Sequence, residues 1–149
     1  MTLASSEVAL TTCSSYAPSL LIDAMSKVLS ALDLSLTLCS ANVLLKPNLI
    51  SAKHGRLACT EGAFILAIAR WLLDHGAKVS VGDSPAFGSA KDVLQSLGIS
   101  DELATLGVEI KEFSKGQKVK LPRGYKAVLA REALDCDLLV NLPRVKAHA

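Results

Sequence analysis

Three stretches of this 149-residue chain hold the residue types that bind and react: KPNLISAKHG (residues 46–55), GDSPAFGS (82–89) and NLPRVKAHA (141–149). Lys46 and Lys146 offer fixed positive charge, and Asp83 offers a carboxylate. Asn48, Ser84 and Asn141 are neutral hydrogen-bonding groups, and His148 gains or loses a proton near neutral pH. In the last stretch Lys146 and His148 alternate with Val145 and Ala147, so an extended backbone turns both the same way. A base and a cation so placed suit an anionic substrate with a proton to move. The expected assignment is His148, Lys146 and Asp83 as catalytic groups, with Lys46, Asn48, Ser84 and Asn141 binding substrate.

Each residue also has a plainer use. Lys46 can be the first solvated residue after a strand, and Asn48 after Pro47 can close its own turn. Asp83 can satisfy the backbone of its own turn, or meet a cation, metal or hydroxyl. Ser89 and Asp92 stand three apart as a capping box, and the helix they start points N–H groups that would welcome an anion. Lys146 and His148 can be a frayed polar terminus. His75 beside Gly76 suits a helix end, and His54 reads as loop surface.

The elements that would position these loops alternate. Residues 7–13 read as a first strand, and Pro18 opens a helix whose apolar residues recur at helical spacing to about Leu34. Residues 43–45 form a short aliphatic strand. Thr60 caps the next helix, Glu61 suits its positive end and Gly76 lies past its stop. That helix is apolar on nearly every side except Arg70, which predicts cover on more than one face. Residues 78–81 read as strand, and a helix then runs from Ser89 to Leu97 and stops at Gly98. Residues 108–113 and 119–121 read as short strands around a turn at 114–116. Strand at 126–130, a helical turn at 131–134 and strand at 138–142 complete the chain.

The pattern predicts a single α/β domain over residues 1–149, built on a mainly parallel sheet with helices on both faces and a small antiparallel portion near residues 108–130. In such a sheet the three loops share the carboxyl edge, where ligands bind.

Half the residues are apolar and only 4% aromatic, the aliphatic filling of a helix-covered sheet. A net charge of +2 without a basic stripe argues against nucleic acid. Neither a secretory leader nor an apolar run of membrane-spanning length is visible, so a cytoplasmic protein is expected. Cys13, Cys39, Cys59 and Cys136 are scattered and read as small buried hydrophobes in a reducing compartment. The chain lacks GxGxxG, GxxxxGK[ST], GxSxG and HExxH, which leaves the usual nucleotide, esterase and zinc signatures unmatched.

Taken in order, VLLKPNL, VGDSP-x-x-GSA and VNLPRVKAH resemble the domain of unknown function 362 (DUF362) family, and the likeness extends from Val8 to the last residue. Members are largely uncharacterised. Many carry or accompany a ferredoxin-type domain with 4Fe–4S clusters, so the resemblance implies iron–sulfur redox chemistry nearby. It leaves the resident cofactor unknown, and no cysteine array in this segment can hold a cluster. In the family more chain follows the NLP-x-x-K-x-H segment, whereas this sequence stops one residue after His148. The resemblance therefore implies the N-terminal portion of a longer protein, with apolar sheet surface prone to self-association. The expected function is an enzyme domain for a small anionic or carbonyl-bearing molecule, fed electrons by a ferredoxin-type domain or protein. The alternatives are a non-catalytic ligand-binding or electron-transfer module, and a divalent-metal site on Asp83 and His148.

Overall fold

Val43, Leu44 and Leu45 are aliphatic on three successive positions, and all three are fully buried. A strand apolar on both of its faces belongs in the middle of a covered sheet. The computed structural model, which describes residues 8–31, 38–53 and 55–146, places it there. Strand β1 (Asn42–Pro47) pairs in parallel with β2 (Lys78–Asp83) on one side and with β6 (Leu138–Leu142) on the other. Outside β2 lies β3 (Glu109–Glu112), also parallel. The order is β3-β2-β1-β6, so the sheet grows outward from β1 and then reverses across it.

Helices flank this sheet. The first, α1 (Pro18–Ala31), precedes β1, and α2 (Gly55–Ala58) and α3 (Gly62–Asp74) connect β1 to β2. Next come α4 (Ala90–Ser96) and α5 (Ser100–Thr105), leading to β3. The main core gathers Val43, Leu45, Val79 and Val81 of the sheet with Ile65, Ala69 and Leu72 of α3 and Val93, Leu94 and Leu103 of α4 and α5. On the other side of α3, Ala67 packs against Leu21 and Met25 of α1. The all-round apolar character of α3 is explained by this double cover. Past its end, Gly76 takes φ of 82°, a left-handed turn that most side chains resist.

The antiparallel part is a hairpin of β4 (Gly116–Lys120) and β5 (Lys126–Ala130), followed by α6 (Arg131–Leu134). Several expectations are corrected here. Strand β3 belongs to the parallel sheet, with Ile110 beside Val81, and does not pair with the residues near 120. The hairpin turns instead at Pro122–Gly124, where Pro122 restricts φ and Gly124 adopts φ of 82°. Among the described residues 8–13 there is no strand, which removes the one expected at 7–13. Helix α5 lay outside the expected elements, although Ile99, Leu103 and Leu106 have helical spacing. The N-terminal helix ends at Ala31, and the residues expected to extend it to Leu34 lie outside those described. Cys59 is fully buried as expected, but Cys13 and Cys39 are exposed. No helix among the described residues is long and apolar enough to cross a membrane.

Two positions yield checkable consequences. A Cβ on Gly82 would stand 2.5 Å from the Lys111 carbonyl oxygen and 2.9 Å from the Phe113 ring. Backbone cannot give way cheaply, so Gly82→Ala should cost about 1–3 kcal/mol, read as a lower urea midpoint.

Asp137 staples the other end of the sheet. Its Oδ2 accepts the Asn42 backbone N–H at 2.8 Å and the Asn42 side-chain amide at 2.9 Å. The backbone N–H and then the amide hold its pKa below the ordinary 3.8. The unfolded chain therefore binds this proton more tightly. The stabilisation is complete above about 3.8 and disappears as pH falls through the lowered folded value. Asp137→Asn should flatten that part of the acid-unfolding profile.

Candidate functional site

The carboxyl ends of β1, β2 and β6 meet at one rim, and the chain ties them to one another. At the end of β2, Asp83 is 7% exposed. Its Oδ1 stands 2.9 Å from the Lys46 Nζ, and its Oδ2 accepts the Leu49 backbone N–H at 2.8 Å. One carboxylate thus fixes both the cation at the end of β1 and the loop that follows it. The next residues of the two loops continue the contact. Phe87 donates its N–H to the Ile50 carbonyl at 3.2 Å, and Ser51 forms a parallel bridge with Phe87.

On the other side of β1, Lys46 and Asn141 are register partners, and so their side chains leave the same face of the sheet. Asn141 is exposed and Lys46 partly so, and among the described residues the Asn141 carboxamide has no hydrogen-bond partner. Ser84, next to Asp83, is exposed and likewise without one. Asn48 is engaged: its Oδ1 accepts the Arg144 backbone N–H at 2.8 Å. Lys146 reaches back over the rim to donate to the Ala58 carbonyl at 2.9 Å. Lys46, Asn48, Asp83, Ser84, Asn141 and Lys146 therefore lie along one edge. His148 and His54 fall outside the described residues.

Thr60 does something other than cap a helix. The residue at the N-cap of α3 is Glu61, whose side chain makes no cap bond. Thr60, 3% exposed, accepts the Asn48 N–H at 2.8 Å through Oγ1 and donates to the Leu142 carbonyl at 2.6 Å. Its own N–H donates to the Asn48 carbonyl at 2.9 Å. One hydroxyl thus links the ends of β1 and β6. Arg144 adds a second link, with Nη1 donating to the Cys59 carbonyl at 3.2 Å and standing 3.9 Å from the Glu61 carboxylate.

A further correction concerns α4. Its capping box forms as expected, with the Ser89 hydroxyl and N–H lowering the Asp92 pKa. The N–H groups of Ala90 and Lys91, however, each donate at 2.9 Å to the carboxylate of Glu112. The chain's own anion occupies the place an outside one would take.

The iron–sulfur cluster implied by the resemblance does not fit this segment. A cluster needs gathered thiolates, and no group of three His, Cys, Asp or Glu that could hold a metal occurs among the described residues. Cys59 is buried and accepts the Ile50 N–H through its sulfur at 3.2 Å, while Cys136 donates to the Ala133 carbonyl.

The family profile described as Domain of unknown function (DUF362) matches residues 43–149. A thylakoid-associated protein of Synechocystis sp. is 38% identical over 109 residues, covering 72% of this chain and 34% of that protein. The chain thus spans about a third of the length of the curated relative it matches. No solved structure matches it.

Proposed function

This chain belongs to the domain of unknown function 362 family, and we propose that it binds a small anionic or carbonyl-bearing molecule at the carboxyl ends of its parallel strands. The observation that supports this reading is the Lys46–Asp83 pair beside exposed Asn141, at the place where the strand order reverses. Crevices at such a reversal are where open α/β sheets take their ligands. Lys46 supplies the charge, Asn141 and Ser84 supply directional hydrogen bonds, and Asp83 positions Lys46 with both of its oxygens already engaged. In the enzymatic form of the proposal His148 moves the proton and Lys146 steadies the anion. An attached or partner ferredoxin-type unit supplies electrons in that form. Four free thiols fit a reducing, cytoplasmic setting.

Calorimetric titration with oxalate and with pyruvate tests the binding step. The double replacement Lys46→Met with Asp83→Asn removes the cation and its counter-charge together, leaving no lone buried charge. Oxalate affinity should fall about tenfold or more, the scale for losing a charge-assisted contact. Asn141→Leu should weaken both probes. Unchanged oxalate binding in the double variant removes the proposal.

A further inference from the structure

We propose that the β4–β5 hairpin is a docking arm for the surface of an anionic lipid bilayer, which it enters tip first. The whole-chain charge of +2 conceals its character. Residues 115–131 hold Lys115, Lys118, Lys120, Arg123, Lys126 and Arg131 with no acidic residue, a local charge of +6. The remaining ten cations face all fourteen acids, so the rest of the chain carries −4. Of the six, Arg131 is paired with Asp135, and the other five side chains have no partner among the described residues. The hairpin also stands clear of the sheet. Strands β4 and β5 pack on each other and β5 on α6, and no other element meets them at more than isolated points. A two-stranded hairpin is marginal in water without cover, and every residue from Lys120 to Lys126 is exposed.

Two features name what covers it. Lys120 and Lys126 are register partners, with Lys118 on the same face. Like charges directly opposite one another destabilise a strand pair, and an outside anion relieves that opposition. Leu121 donates its N–H to the Tyr125 carbonyl at 2.8 Å, which sets these two together at the tip, on the face opposite the lysines. Leu121 is 42% exposed and Tyr125 70%. Tyrosine favours the boundary between water and lipid. Entering tip first, Leu121, Pro122 and Tyr125 reach the acyl boundary while Lys120, Arg123 and Lys126 meet the phosphates. Lys118 stands about 7 Å further back, two residues along a strand, within the ~8–10 Å over which charge acts at physiological salt. A nucleic acid or an acidic protein laid on the lysine face would leave the apolar tip in water. A second copy would set one cationic hairpin against another. A surface anionic outside and apolar beneath satisfies both features. The rim residues take no part, so this inference goes beyond the reading above and is tested apart from it.

Co-sedimentation of the whole chain with vesicles of phosphatidylcholine mixed with phosphatidylglycerol is the test, with pure phosphatidylcholine in parallel. The mixed vesicles should hold the chain about tenfold or more tightly than the neutral ones. Lys118→Gln/Lys120→Gln/Lys126→Gln should weaken that binding on the order of a hundredfold, about fivefold per cation. Lys27→Gln/Lys78→Gln/Lys91→Gln removes equal charge from exposed positions elsewhere and should change it by less than about twofold. Arg123 is held at φ of 62°, which glycine adopts freely, so Arg123→Gly removes a cation while easing the turn. It should weaken binding about fivefold with the melting temperature held or raised, which an unfolded hairpin would not produce. Leu121→Ser/Tyr125→Ser should abolish the binding that survives ~1 M salt, where charge is screened within ~3 Å. Equal retention by neutral vesicles, equal loss from the substitutions elsewhere, or tighter binding to a single-stranded oligonucleotide overturns the proposal. So does a dimer that the hairpin substitutions break apart. Vesicle binding retained in the Lys46→Met/Asp83→Asn chain separates the hairpin from the rim.

Discussion

Replacing Thr60 by Val should destabilise the fold by about 3 kcal/mol, although the two side chains have nearly the same shape. Thr60 is 3% exposed, and its hydroxyl serves the Asn48 N–H and the Leu142 carbonyl at once. Valine fills the same volume, so no cavity opens. What it leaves is a backbone donor and a backbone acceptor stripped of the group that joined them. Each such orphan costs about 1–3 kcal/mol where water cannot replace the lost partner. Thr60→Ser keeps the hydroxyl and should lose only about 1 kcal/mol, the worth of one buried methyl. Urea unfolding of the three proteins decides the matter. A valine variant as stable as the parent would show that Asn48 and Leu142 are satisfied elsewhere. Amide exchange adds a local reading: in the valine variant Asn48 and Arg144 should exchange faster, because the Asn48 Oδ1 that holds the Arg144 N–H sits on the loosened loop.

The rim was partly legible in the sequence, and particular residues show where legibility ends. Lys46 and Asp83 follow short aliphatic runs, and a parallel sheet must carry such residues to one edge. That is a statement about topology, and hydrophobic pattern supplies topology. The pairing of Lys46 with Asp83, rather than of either with a ligand, depends on a contact across 37 residues that no local pattern records. Thr60 illustrates a competing local signal. A threonine beside Glu61 at the start of an apolar run reads as a cap, and only the neighbouring β6 end shows why its hydroxyl turns away from the helix. Glu112 is the same case from the other direction: an acidic residue at a strand end is silent until α4 is folded above it. The hairpin went astray for a different reason. Pro122 and Gly124 gave a turn signal as strong as Ser114 and Gly116, and spacing alone did not choose between them. Arg144 and Tyr16 lie 128 residues apart in sequence yet wall one crevice, and proximity of that kind appears only once the sheet has closed.

The Lys46–Asp83 pair yields the second large effect. Asp83→Ala should lower the unfolding free energy by about 3 kcal/mol, since it removes the shared partner of the Lys46 ammonium and the Leu49 N–H. A wholly buried pair broken on one side costs about 3–5 kcal/mol. Lys46 is 33% exposed in its side chain, which lets water recover part of the charge and places the loss toward the lower end. Asp83→Asn separates the two contributions. Its carboxamide oxygen can still accept the Leu49 N–H, so only the charge interaction is lost, and the cost should be about half as great. Lys46→Met leaves the opposite imbalance, a carboxylate at 7% exposure without its cation. Combining Lys46→Met with Asp83→Asn removes both charges, and the double variant should be more stable than the sum of the single losses predicts. The coupling from that cycle should be about 1–2 kcal/mol in favour of the pair. Additive losses would mean that the ammonium and the carboxylate do not hold one another in solution, and Asp83 would then have no part in positioning Lys46 for a ligand.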